Sequence, residues 1–166
     1  VSATPQSQKR AEELALYWNN DTSQALPEPW ASRSLDHPDV IAAFLNWCRF
    51  LIDTFNPDYF AYAIEANGGF ASRQSAGFIQ FETLAVQVYQ TLKSEYPTLP
   101  IFLTLQTGST EATRPNFLDI ADRLLDISDY VAISSYPYLV LKLGGVDAYG
   151  DPANIPANLL SDLITL

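Results

Sequence analysis

Two rhythms of apolar and polar residues alternate along this chain. Val40, Ile41, Phe44, Leu45, Cys48, Leu51, Ile52 and Phe55 recur at the spacing of a helix with one apolar face. Asp36 or His37 ahead of Pro38 suits a helix start, and Asn56-Pro57 suits its end, so a helix is predicted over 38–55. The rhythm then changes. Pro57 to Asn67 is short, apolar and rich in aromatic residues, with Gly68-Gly69 after it, and predicts a buried strand over 58–65. Strict alternation would put Ala61, Ala63 and Glu65 on one face and Phe60, Tyr62 and Ile64 on the other. A second long helix is predicted over 75–96, ended by Pro97, and a second strand over 101–106 with Phe102, Thr104 and Gln106 on one face. After a loop over 107–113, Pro115 opens a third helix whose apolar face is Phe117, Leu118, Ala121, Leu124 and Leu125. A turn at Asp126–Asp129 leads to a third strand over 130–135, then a long loop, and Pro156 to Leu166 begins a further helix. At the other end, Val1–Pro5 reads as the tail of a strand and Gln8–Tyr17 as a short helix. A loop over 19–36 carries Trp30.

Alternating helices and strands predict an α/β fold with a parallel sheet and helical crossovers. A doubly wound sheet and part of a (β/α)₈ barrel both fit that order. No Gly-x-Gly-x-x-Gly and no phosphate-cradling Gly-Lys-Ser follows any strand, which disfavours a nucleotide-binding sheet. Each strand instead ends on a polar residue: Glu65, Gln106, and Ser134 with Ser135. In a barrel such ends converge on one mouth, where enzymes of that fold keep their chemistry. The plain alternative for Glu65 is a solvated side chain at a strand end.

Composition narrows the partners. The 166 residues are 48% hydrophobic and 17% charged, enough for a packed core in one domain. The formal net charge of −10 argues against nucleic acid or an anionic membrane surface and fits a neutral partner such as a sugar. Cys48 is the single cysteine, which excludes an intrachain disulfide, and its apolar helical setting reads as a buried thiol. The single histidine, His37, has no second His or Cys beside it, so neither a metal nor another cofactor is expected. No run approaches a membrane span, and Val1-Ser-Ala-Thr-Pro5 lacks the parts of a signal peptide. It also lacks an initiating Met, so a longer protein is expected around this chain.

The stretch from Pro57-Asp58-Tyr59 to Ile64-Glu65-Ala66-Asn67 resembles the fourth strand of clan A glycoside hydrolases, most of all the arabinogalactan endo-β-1,4-galactanases of family 53. There the strand ends in Asn-Glu and the Glu is the general acid/base. Asp129-Tyr130-Val131-Ala132-Ile133-Ser134-Ser135-Tyr136-Pro137-Tyr138 resembles that family's sixth strand, which ends in Ser-Tyr-Tyr-Pro or a similar run. One predicted strand lies between the two motifs, as the family requires. The resemblance implies a single incomplete (β/α)₈ barrel domain over 1–166, from the end of strand three through helix six. Strands one, two, seven and eight would lie outside the chain. It also implies a secreted or cell-envelope location. One position departs from the pattern: Ile64 stands where the family has Asn, a residue that contacts the sugar hydroxyl next to the reacting carbon, and Asn67 is the candidate to take over part of that role.

Retaining hydrolysis of a glycosidic bond uses two carboxyl groups roughly 5 Å apart, one acid/base and one nucleophile. By the resemblance Glu65 is the acid/base and the nucleophile is a Glu at the end of strand seven, beyond Leu166. Within the chain, Asp58, Asp126 and Asp129 belong to the wrong ends of their strands, and Glu111 lies in a loop. The chain alone is therefore expected to be inactive. Asn67, Gln106, Ser134 and Tyr136 are candidates to hydrogen-bond sugar hydroxyls, or to satisfy one another. Trp30, Phe70 and Tyr138 are candidates to stack on sugar rings, or to pack locally. The alternative function is a barrel without catalysis that binds carbohydrate or serves as a scaffold. A Schiff-base aldolase is disfavoured because no Lys ends any of the three strands.

Overall fold

The computed structural model describes residues 28–106, 114–134, 157 and 161. Its elements are helix α1 (Pro38–Phe55), strand β1 (Phe60–Ala63), helix α2 (Ala76–Glu95), strand β2 (Ile101–Gln106), helix α3 (Arg114–Leu124) and strand β3 (Ala132–Ser134). A single 3₁₀ turn, Leu125–Ile127, continues α3. The strands form one sheet in the order β1-β2-β3, and both pairings are parallel. The fold of the described residues is thus mixed α/β with helical crossovers. The predicted elements over 1–17, the loop over 107–113 and the chain after Ser134 lie outside the described residues, save the isolated positions 157 and 161.

The helices begin and end where their caps dictate. The His37 ring nitrogen Nδ1 accepts the Asp39 N–H at 3.1 Å while Pro38 occupies the first turn, where it forfeits no hydrogen bond. At the far end Asn56 adopts a left-handed conformation, φ 43°, and donates its N–H to the Ile52 carbonyl. Ser75 caps α2 by accepting the Phe78 N–H at 3.3 Å.

Burial divides the sheet into two faces. Ile101, Leu103 and Leu105 are buried, as are Phe60 and Tyr62, and they form one core with Ile41, Leu45 and Cys48 of α1 and Phe78, Leu84, Val88 and Leu92 of α2. Ile120, Ala121 and Leu124 of α3 complete it. Burial pushes the thiol of the free Cys48 up to about 11, which suits a packing role. Tyr62 buries its ring beside Tyr89 and donates its hydroxyl to the Ile127 carbonyl at 2.8 Å. On the other face Phe102, Thr104, Gln106, Ala132 and Ser134 are only half-buried and Ala61 is exposed. At its amino end Tyr130 lies 6.0 Å from Tyr59 and 6.1 Å from Phe102, ring to ring.

Two strands are shorter than their patterns predict, and one ends differently. β3 begins at Ala132 rather than Tyr130, and β1 stops at Ala63 rather than Glu65. Ala61 pairs with Phe102 but Ala63 pairs with Leu103, so β1 carries one extra residue at Tyr62. A bulge of this kind breaks the two-residue alternation. Ile64 consequently is 55% exposed instead of packing beside Phe60 and Tyr62, and Glu65 does not continue the row of Ala61 and Ala63.

Candidate functional site

The carboxyl end of β1 turns sharply, and the turn is built on its neighbour strand. Beyond Ala63 the chain bends, and Glu65 takes φ 49°, a left-handed conformation that costs a residue with a Cβ about 1 kcal/mol or more. Thr104, in the middle of β2, holds it there. The Glu65 N–H donates to Thr104 Oγ1 at 2.7 Å, and the next N–H, of Ala66, donates to the Thr104 carbonyl at 2.8 Å. The Gly68 N–H closes the turn on the Glu65 carbonyl at 2.8 Å. Glu65 is 6% exposed and Asn67 1%, the two buried polar residues of the described chain.

Asn67 replaces the strand that β1 no longer provides. Its Oδ1 accepts the Gln106 N–H at 2.7 Å and its Nδ2 donates to the Gln106 carbonyl at 2.8 Å, the two bonds a neighbouring strand would make. The second Nδ2 hydrogen goes to the Phe117 carbonyl of α3 at 3.0 Å. One side chain therefore joins the β1 turn, the last residue of β2 and the start of α3. Both amide donors are committed to backbone. Gly68 sits at a close approach: a Cβ there would lie 3.2 Å from both Gln106 Oε1 and the Glu65 carbonyl oxygen, so a side chain would have to push its neighbours apart by a few tenths of an ångström. Gly69 follows with φ 92°, a conformation suited to glycine. Phe70 then anchors the loop in the core, edge-on to Phe78 at 5.3 Å and beside Phe81 at 5.6 Å. Its carbonyl accepts a bond from Asn116 Nδ2 at 3.2 Å.

Of the residues singled out from the sequence, Glu65, Asn67, Gln106 and Ser134 gather at one end of the sheet. Ser134 Oγ reaches Thr104 Oγ1 at 3.5 Å. Trp30 sits in the segment ahead of α1, half-buried against the edge of the core, with the Arg33 guanidinium 4.8 Å over its ring. Tyr136 and Tyr138 lie outside the described residues. Thr104 is the residue that the sequence reading placed on the right face without giving it a role. Its signal was a lone hydroxyl in the apolar run Ile101–Leu105.

The opposite end of the sheet is electrostatically different. Asp129 accepts the Ile101 N–H at 2.8 Å, Lys93 Nζ at 2.8 Å and the Tyr89 hydroxyl at 2.7 Å. Burial works to raise its carboxyl, but the bonds from Ile101, Lys93 and Tyr89 outweigh it and hold the group below the ordinary Asp value. Tyr89 is pushed up to about 12, by burial first and by its bond to Asp129 second. Among the described residues no cluster of His, Cys, Asp or Glu has the makings of a metal site, and no helix is long and apolar enough to cross a membrane.

No protein-family model matches the chain, and no curated protein or solved structure matches it either. What the site can do follows from its own groups. A buried carboxyl on a fixed backbone, with hydroxyl and amide groups on adjacent strand ends, sets a proton-exchanging group beside groups that hydrogen-bond.

Proposed function

We propose that this chain is the middle of a (β/α)₈ barrel of the clan A glycoside hydrolases, similar to the galactanases of family 53, and that Glu65 is its acid/base. The observation that carries the reading is a buried glutamate fixed just past the carboxyl end of a parallel strand by that strand's neighbour. Sequential order of the three strands with both pairings parallel fits winding in one direction, as in a barrel. The second face, only half-buried among the described residues and carrying Tyr130 against both Tyr59 and Phe102, fits a barrel interior.

In this reading the acid form of Glu65 gives its proton to the departing glycosidic oxygen, and its base form later activates water. The nucleophile comes from the chain beyond Leu166. Gln106 and Ser134 bind sugar hydroxyls, with Tyr136, Tyr138 and Trp30 as further contacts. Asn67, with both donors committed to backbone, holds the site together instead of touching the sugar.

A second reading is favoured by one residue. Ile64, where the family has a sugar-binding Asn, is 55% exposed and offers no hydrogen bond. A barrel that binds carbohydrate without cleaving it fits that loss. The full-length protein separates the two when incubated with β-linked galactans and a panel of other plant and microbial polysaccharides. The hydrolase releases reducing ends with retained anomeric configuration; the binding barrel retards on the polysaccharide in affinity electrophoresis and releases none.

A further inference from the structure

We infer that Thr104 is a positioning residue for Glu65, an assignment that rests on the acid/base reading above. Glu65 occupies a left-handed backbone conformation without being glycine or asparagine, the residue types that enter it most easily. Something outside the turn must hold it, and Thr104 does so twice. Its hydroxyl oxygen takes the N–H of Glu65 and its carbonyl takes the N–H of Ala66, so two consecutive peptide units are fixed to one residue of the adjacent strand. The bulge in β1 makes this necessary. It shifts the register between Ala61 and Ala63, and at Glu65 a side-chain acceptor takes the place of a ladder bond before Ala66 returns to the Thr104 carbonyl.

A serine or threonine hydroxyl can accept two bonds and donate one. Thr104 Oγ1 accepts from Glu65 at 2.7 Å and, at the long distance of 3.5 Å, from Ser134 of β3. The hydroxyl therefore links all three strand ends through one atom. Valine has nearly the same shape and keeps the β-branched packing, but cannot accept either bond. Serine keeps the acceptor and loses only a methyl group.

The test is made in the full-length protein with Thr104→Val and Thr104→Ser, by two independent readouts. Amide hydrogen exchange at Glu65 should quicken roughly tenfold in Thr104→Val, the worth of one net hydrogen bond, and stay near wild type in Thr104→Ser. Turnover of glycosides with poor leaving groups should fall up to about 10²-fold in Thr104→Val, because a misplaced acid loses alignment. Substrates with good leaving groups should be affected far less, and Thr104→Ser should restore both. Unchanged exchange at Glu65 in Thr104→Val overturns the inference, as does an equal loss on both substrate types, which marks a merely structural role. Wild-type protein without hydrolase activity overturns the acid/base reading itself, whereas an active wild type with an indifferent Thr104→Val overturns only the role given to Thr104.

Discussion

The two ends of the sheet each carry a carboxylate in a key place, and they are held in opposite ways. At the amino end Asp129 is held through its side chain, with Ile101, Lys93 and Tyr89 all donating to its two oxygens. Its own N–H also donates to the Ile101 carbonyl, so Asp129 starts the pairing of β2 with β3. At the carboxyl end Glu65 is held through its main chain, by Thr104 and Gly68. A carboxylate that accepts three donors, one of them a lysine, is stabilised in its ionised form and serves as a staple. At Glu65 the main-chain bonds fix where the residue sits at the end of the sheet. Asp129 belongs to the stability of the sheet, and the proposed function gives Glu65 the chemistry.

The largest effect that would break or sharpen this contrast belongs to Glu65→Gln. In the full-length protein, polysaccharide hydrolysis should fall by about 10²–10⁴-fold, the usual contribution of a general acid–base group. The urea midpoint should move little, since glutamine keeps the size and hydrogen-bonding reach of the side chain and the main-chain bonds at that position survive. A large loss of stability with activity retained would reverse the assignment of the two carboxylates.

Asn67→Ala comes next and acts on folding. It removes three part-buried hydrogen bonds and leaves the N–H and C=O of Gln106 without their partner, while the Phe117 carbonyl keeps its place in the α3 helix. Each group left unsatisfied costs about 1–3 kcal/mol, so a total of roughly 2 kcal/mol is expected after partial relief by water. Urea unfolding measures it. A change below about 0.5 kcal/mol would mean that the turn is held by Thr104 alone.

The smallest effect is that of Asp129, and it depends on pH. Its folded value lies below the ordinary one, so its contribution is fully present above the unfolded value of about 4 and declines as the pH falls through the lower folded value. Asp129→Asn should cost about 1 kcal/mol near neutral pH, and the gap from wild type should close in acid. A gap that stays constant down to strongly acid solution would show that the charge is not what matters.

Much of this architecture is legible in the residues. The bounds of α1 follow from His37-Pro38 at one end and Asn56-Pro57 at the other, and β2 from Pro100 and its apolar run, because caps and prolines act locally. The gathering of Glu65, Asn67, Gln106 and Ser134 follows from strand ends alone. The bulge at Tyr62 does not, since it arises only when β1 is paired with β2 and nothing in Phe60–Ala63 encodes it. It is the reason Ile64 faces outward and Glu65 sits beyond the strand. The roles of Thr104 and Asn67 were hidden for a related reason. A threonine in a strand and an asparagine in a turn are ordinary until the other side of the bond is known, and both bonds cross to another element.

The claim that Glu65 is an acid/base in a retaining mechanism is tested most directly by chemical rescue. In the full-length protein, Glu65→Ala should still form a glycosyl-enzyme from an aryl glycoside whose leaving group needs no proton, and should then stall because no base activates water. Azide needs no base. Added to the stalled variant, it should raise turnover and yield a glycosyl azide with retained anomeric configuration. A Glu65→Ala variant that turns over at the wild-type rate without azide, or an active wild type whose variant azide leaves untouched, would contradict the role assigned to Glu65.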